Sequence, residues 1–164
     1  MCEVLVRDRF PEFIQRRGGV PSYRLPAGEQ EFLQFLFGKL GEEYYEYING
    51  ADLGKLADMF EVVRSLTAYF NTTIPELMTL SSNDHAEFAA SLSPNKVWQY
   101  FCDRLLNEMY AFIKSRRLED LGNMLSTMNA LCNRYNSNIE HLAVMADGKK
   151  ELNGAFEKRY ILTL

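Results

Sequence analysis

Apolar side chains recur at every third or fourth position through most of this chain. Between Gln30 and Asn49 they fall at Phe32, Leu33, Leu36, Leu40, Tyr44, Tyr47 and Ile48, the stripe of a helix with one buried face. Gly50 marks its stop and Asp52 offers a cap for the next helix. That second stripe runs through Leu56, Met59, Phe60, Val63 and Leu66 to about Phe70. So short a connection predicts two antiparallel neighbours. Ser93 and Pro94 open a third long helix, which carries Val97, Trp98, Phe101, Leu105, Tyr110 and Ile113, and a fourth runs from about Leu118 to Tyr135. Short helical turns are expected after Thr73 and Asn138, and the stretch from Ser81 to Ser93 reads as a connector. The two ends break the pattern. Glu3-Val4-Leu5-Val6 and Lys158-Arg159-Tyr160-Ile161-Leu162 are short, apolar and β-prone, so they are expected to pair as one minor ribbon, marginal unless something packs beneath it.

The stripes repeat. Shifted by 65 positions, Glu31–Leu77 lies over Lys96–Leu142 without a gap, and twelve of forty-seven positions are identical, Leu40/Leu105, Glu43/Glu108, Leu56/Leu121 and Met59/Met124 among them. Composition alone gives about three, so the pattern is that of a duplicated helical hairpin. Neither hairpin can bury its apolar stripe alone, and two together predict a four-helix core. The expected organisation is an all-α single domain over 1–164, with a first repeat at about 31–77, a connector at about 78–95, a second repeat at about 96–142 and a C-terminal motif at 153–162.

Composition narrows the function. A chain of 164 residues that is 47% hydrophobic and 24% charged folds as a globular domain. Its net charge of −4 argues against a nucleic-acid partner, because phosphate backbones reward a basic surface. No apolar run approaches the roughly 20 residues that span a bilayer, and Met1–Asp8 lacks the layout of a signal peptide. Neither a membrane partner nor export is therefore expected. Cys2, Cys102 and Cys132 are odd in number and far apart, as suits reduced thiols in a cytoplasm. With His85 and His141 each alone, no zinc set is expected. The aromatics at helical spacing, Tyr44, Tyr45, Tyr47, Trp98, Tyr100 and Phe101, read mostly as core. No nucleophile–His arrangement and no phosphate-cradling Gly-rich loop is present.

What chemistry remains is acidic. Glu43 and Glu46 stand three residues apart on the first helix, and Asp58 and Glu61 do so on the second. At that spacing two carboxylates share a helix face, and antiparallel packing brings the two pairs to about the same height. Carboxylates facing one another across a helix pair repel unless a cation lies among them. Oxygen donors alone select magnesium or manganese, and such a site holds polyphosphates and activates water toward phosphorus. A solvated acidic face would show the same letters.

Four motifs add weight in order: Leu5-Val6-Arg7-Asp8-Arg9-Phe10-Pro11-Glu12-Phe13-Ile14, Lys39-Leu40-Gly41-Glu42-Glu43-Tyr44-Tyr45-Glu46, Leu56-Ala57-Asp58-Met59-Phe60-Glu61-Val62 and Gly154-Ala155-Phe156-Glu157-Lys158-Arg159. Together they resemble the MazG-like all-α nucleoside triphosphate pyrophosphatase superfamily, in its phosphoribosyl-ATP pyrophosphohydrolase-like branch. The resemblance implies cleavage of a nucleoside triphosphate between its α and β phosphates, giving a monophosphate and pyrophosphate in the house-cleaning manner. It also implies Mg2+ (or Mn2+) held by Glu43, Glu46 and Asp58, with Glu61 assisting or orienting water. Arg7, Arg9, Lys158 and Arg159 would then hold phosphates, and Arg16-Arg17-Gly18-Gly19 would simply close a helix.

The sequence departs from the family pattern in three places. Lys55 stands where the second acidic pair carries Glu, so it either pairs with the remaining acids and displaces a cation, reaches a substrate phosphate, or turns to solvent. Ala155 replaces a glycine of the last motif. In the second repeat Glu108 matches Glu43, while Ala111, Asp120 and Asn123 stand at the positions of Glu46, Lys55 and Asp58. A composite site that borrows Asp120 is one consequence; a decayed half kept as scaffold is the other. Two further functional readings follow, a catalytically degenerate nucleotide-binding protein and a purely structural scaffold. The duplication fits a monomer with an internal pseudo-dimer, or a homodimer of duplicated chains.

Overall fold

In a computed structural model, which describes residues 2–82 and 86–164, helix takes in 70% of the described residues. The chain is all-α, as the stripes predict. Residues 83–85 of the expected connector, His85 among them, lie outside the described residues. The chain divides into two compact units, the first made of 1–70 and 143–164, the second of 71–142.

The first unit is built on the hairpin of α2 (Glu29–Gly50) and α3 (Leu53–Tyr69). Leu36, Leu40, Tyr47, Leu56, Met59 and Leu66 interlock along the seam with no exposed surface. The left-handed turn between the helices falls on Ala51 rather than Gly50, and Asp52 caps α3 by accepting from the Lys55 N–H at 2.9 Å. Beside the hairpin stands a sheet of three short strands, β1 (Glu3–Leu5), β2 (Tyr23–Arg24) and β3 (Ile161–Thr163), with β3 central and antiparallel to both. The expected pairing of the two ends is present, Val4 opposite Leu162. Strand β2 was not foreseen, since two residues carry no period. Arg24 secures it by donating to both Glu3 and Glu31 at 2.8 Å. The short α1 (Phe10–Arg16) joins β1 to β2, and the Gly19 N–H closes it on the Ile14 carbonyl at 3.0 Å, the helix-end role expected for Arg16–Gly19.

The second unit holds α4 (Ile74–Leu80), α5 (Ala86–Ala90), α6 (Pro94–Ser115) and α7 (Leu118–Cys132). Helices α6 and α7 form its hairpin, with Leu105, Phe112, Leu121, Met124 and Met128 buried between them, and α4 packs against α7 through Leu77. Helix α5 lies where a plain connector was expected. The last helix, α8 (Ile139–Asn153), begins in the second unit and continues into the first.

Element boundaries recur at the interval of 65. Helices α2 and α6 each run 22 residues, α3 and α7 start at Leu53 and Leu118, and left-handed residues fall at Ala51/Arg116 and Asn71/Asn136. The aromatic expectation divides. Tyr44, Tyr47 and Phe101 are buried, while Tyr45 and Tyr110 are exposed.

Candidate functional site

The acids of the first hairpin come together on the facing sides of α2 and α3. Glu43 is buried, 6% exposed, and takes the Lys39 ammonium at 3.2 Å. Burial pushes its carboxyl above the ordinary range; Lys39 pulls it down, and the charges of Asp58 and Glu46 push it further up. The net upward shift means that the Lys39 charge does not fully offset the desolvation of this anion.

Asp58 lies across from it. Its two oxygens accept from Arg7 Nη2 at 3.0 Å and from Lys149 Nζ at 2.8 Å. Glu46 and Lys55 form the outer edge of the cluster, with Lys55 Nζ donating to Glu46 at 2.9 Å. That bond raises the lysine pKa, helped by the charges of Asp58 and Glu43. Lys55 therefore turns toward the acids, in contact with Glu46 and within electrostatic reach of Asp58 and Glu43. Both members of its pair are open to water, 40% and 45% exposed, and an exposed pair of this kind holds its geometry by only about 0–1 kcal/mol.

Glu61 belongs to a separate network. It is buried and accepts from Arg64 Nη2 at 2.6 Å, while Nη1 of the same guanidinium donates to Asp147 at 2.6 Å. The phosphate candidates are also dispersed. Arg7 serves the site, bonding Asp58, the Gly154 carbonyl at 3.2 Å and the face of Phe156. Arg9 donates to Glu12 and to the Glu151 carbonyl. Arg159 pairs with Glu29 and lies 4.3 Å over the Phe32 ring, and Lys158 Nζ lies over Tyr160. Of the basic residues singled out by resemblance, Arg7 and Lys55 reach the acids.

The first and last motifs are clamped together. Asp8, buried, accepts the N–H groups of Glu157 and Lys158 at 3.3 and 2.8 Å, and its own N–H donates to the Ala155 carbonyl at 2.9 Å. At Gly154 the backbone is left-handed, φ +78°, and an added Cβ would meet Asp8 at 2.7 Å. The turn thus asks for glycine at 154 and not at 155, so Ala155 causes no backbone conflict.

In the second unit Glu108 is the counterpart of Glu43. It accepts from Arg104 Nε at 2.8 Å and from the Thr127 hydroxyl at 2.7 Å. Burial pushes its carboxyl up to about 7, the charge of Asp120 adding to the push. Asp120 accepts from Ser115 within its own turn, and Asn123 accepts from the Ser82 N–H at 3.0 Å.

Four partners were missed by sequence reasoning. Lys39 and Arg104 carry a readable signal, each lying four residues before an aligned glutamate. Arg64 follows Glu61 at helical spacing in the same way. Lys149 has no local signal, being 91 residues from the aspartate it serves.

As to a metal, among the described residues no three acidic, His or Cys side chains stand close enough together to hold one as they are placed. The donor chemistry nevertheless suits a hard divalent cation. Glu43, Glu46 and Asp58 are all oxygen donors, Glu43 is short of positive charge, and Asp58 uses two of its roughly four acceptor positions. The obstacle is Lys55, which has to turn to solvent first. No family model, curated protein or solved structure matches this chain.

Proposed function

We propose that the chain is a nucleoside triphosphate pyrophosphohydrolase of the house-cleaning type, acting at the acid cluster of its first hairpin. The observation that carries the reading is that Glu43, Glu46 and Asp58, contributed by two neighbouring helices, lie near enough to feel one another's charge, with Glu43 buried among them. The four ordered sequence motifs support it, because the first and last of them meet at Asp8 and Gly154 and deliver Arg7 to Asp58. Glu43, Glu46 and Asp58 would hold the divalent cation, which when bound neutralises phosphate charge and lowers the pKa of water. Arg7 and Lys149 orient Asp58 and add two positive charges beside the phosphates. Lys55 is the movable part, restraining Glu46 in the free protein and, once displaced, free to reach a phosphate oxygen.

A second reading has its own observation. The Lys55 ammonium already turns toward the acids, so a protein that keeps it there binds nucleotide without turning it over. The two readings separate in one experiment, in which wild type, Lys55→Glu and Glu43→Gln are incubated with a panel of ribo-, deoxy- and oxidised nucleoside triphosphates and Mg2+ or Mn2+. Pyrophosphate release by wild type, lost at least about 100-fold in Glu43→Gln, supports the hydrolase. Release by Lys55→Glu alone selects the degenerate protein. Release by none of the three, with no nucleotide binding in calorimetry, overturns both.

A further inference from the structure

A cavity of about 390 Å³ opens in the first unit between the first strand and α1 on one side and the middle of α2 on the other. Its volume lies within the range of small-molecule sites. The walls are apolar, with Val4, Val6 and Leu162 from the sheet and Phe10 and Phe13 from one face of α1. Phe10 is 40% exposed, an aromatic surface that nothing in the described fold covers.

The rim is charged, and its residues are already familiar. Arg7, Lys39 and Glu42 line the cavity, and each belongs to the ion-pair network of the acid cluster. Lys39 Nζ donates to Glu42 at 2.8 Å and contacts Glu43 at 3.2 Å, while Arg7 reaches Asp58. A ligand in the cavity therefore lies one side chain away from two of the three proposed cation-holding acids. Arg7 and Lys39 are the cations of the rim, each already paired with a carboxylate of the cluster, and they are the groups an anionic ligand would meet.

We propose that this cavity seats the base and sugar of the nucleotide, with the phosphates leaving across Arg7 and Lys39 toward Glu43 and Asp58. The assignment rests on the triphosphate reading above and adds the part of the substrate that reading leaves unplaced. It also sets specificity. Asn153 is the one neutral polar side chain in the lining, so the base is held by stacking on Phe10 and Phe13 and by apolar contact. Every base has a π-face, and stacking is tolerant of base identity. Strong discrimination needs a site whose polar groups are left unpaired by the wrong ligand, and these walls have almost none. The protein therefore accepts purine and pyrimidine triphosphates alike.

The test compares ligands with and without a base. Calorimetric affinities in Mg2+ are measured for ATP, GTP, CTP and UTP and for inorganic tripolyphosphate, on wild type, Phe10→Ala, Phe13→Ala and Phe10→Tyr. The four nucleotides are expected to agree within about 10-fold, and each alanine variant to weaken ATP about 10-fold or more. Tripolyphosphate should stay within about 2-fold throughout, and Phe10→Tyr should retain ATP, since its ring still stacks. Phe10 is a surface residue, so its variants keep the fold even where Phe13→Ala does not, and melting curves verify this. Equal weakening of ATP and tripolyphosphate by Phe10→Ala, or no effect on ATP, overturns the assignment alone. Failure of wild type to bind either ligand overturns the triphosphate reading with it.

Discussion

The two hairpins share a backbone plan and differ in what occupies it. At the position of the inner carboxylate both carry glutamate, each with a cation one turn earlier, Lys39 for Glu43 and Arg104 for Glu108. One turn toward the loop they part: the first hairpin has Glu46 against Lys55, the second Ala111 against Asp120. On the facing helix Asp58 receives two cations, whereas Asn123 receives the backbone N–H and hydroxyl of Ser82. The first hairpin keeps a set of charges that must be balanced by side chains from distant parts of the chain. The second keeps one half-buried acid and satisfies the rest with neutral groups. A hairpin of this plan folds with or without such a set of charges, because the apolar seam (Leu40/Leu105, Leu56/Leu121, Met59/Met124) is separate from the polar positions beside it.

The comparison can be broken hardest at Gly122, the counterpart of Ala57. A Cβ built there would stand 2.3 Å from the Leu77 carbonyl, so α4 approaches α7 more closely than any side chain permits. Gly122→Ala is expected to destabilise by about 3 kcal/mol, whereas Ala57→Gly costs about 1 kcal/mol as a helix-interior glycine; urea denaturation of both variants checks the difference. If Gly122→Ala proves harmless, the close approach is not there.

Glu108 sharpens the comparison through pH. Its folded carboxyl titrates at about 7, above the ordinary 4.5, so the fold prefers the protonated form. That contribution is complete below pH 4.5 and is lost as pH rises through 7, by an amount on the order of 2 kcal/mol after allowance for partial exposure. Melting temperatures between pH 4.5 and 8 should show this decline in wild type and a shallower one in Glu108→Gln. Parallel curves would mean that Glu108 ionises normally.

The smallest effect is expected at the caps. Thr73 accepts from the Glu76 N–H at 3.3 Å and Asn138 from the His141 N–H at 2.9 Å, one repeat interval apart. Replacing either by alanine should cost about 1 kcal/mol, and thermal melts of the two single variants should agree within a few tenths. Unequal costs would show that the two caps do not do equivalent work.

The hairpins were legible because each rests on side chains a few residues apart, which periodicity reports directly. The spacing of Glu43 and Glu46 was legible for the same reason, whereas Glu61, three residues from Asp58, joins Arg64 and Asp147 instead. What balances the acids was not. Arg7 and Lys149 meet Asp58 from 51 and 91 residues away, and no local pattern encodes such a meeting. Strand β2 is too short to show alternation, and α5 lies in a stretch whose Ser and Asn content signals loop. The glycine that the last motif's turn needs stands at Gly154, so the Ala155 departure leaves the backbone unstrained.

The division of α8 between the units bears on how the molecule is made. The second unit is one unbroken stretch, 71–142, whereas the first pairs Glu3 with Thr163 and Arg7 with Gly154. A chain emerging from the ribosome can finish the second unit while the opening strand is still without its partner. The first is completed only after the last strand has been synthesised, and contacts that distant in sequence form slowly. The acid cluster, balanced by Lys149 and by the Arg7 that Gly154 holds in place, therefore matures last.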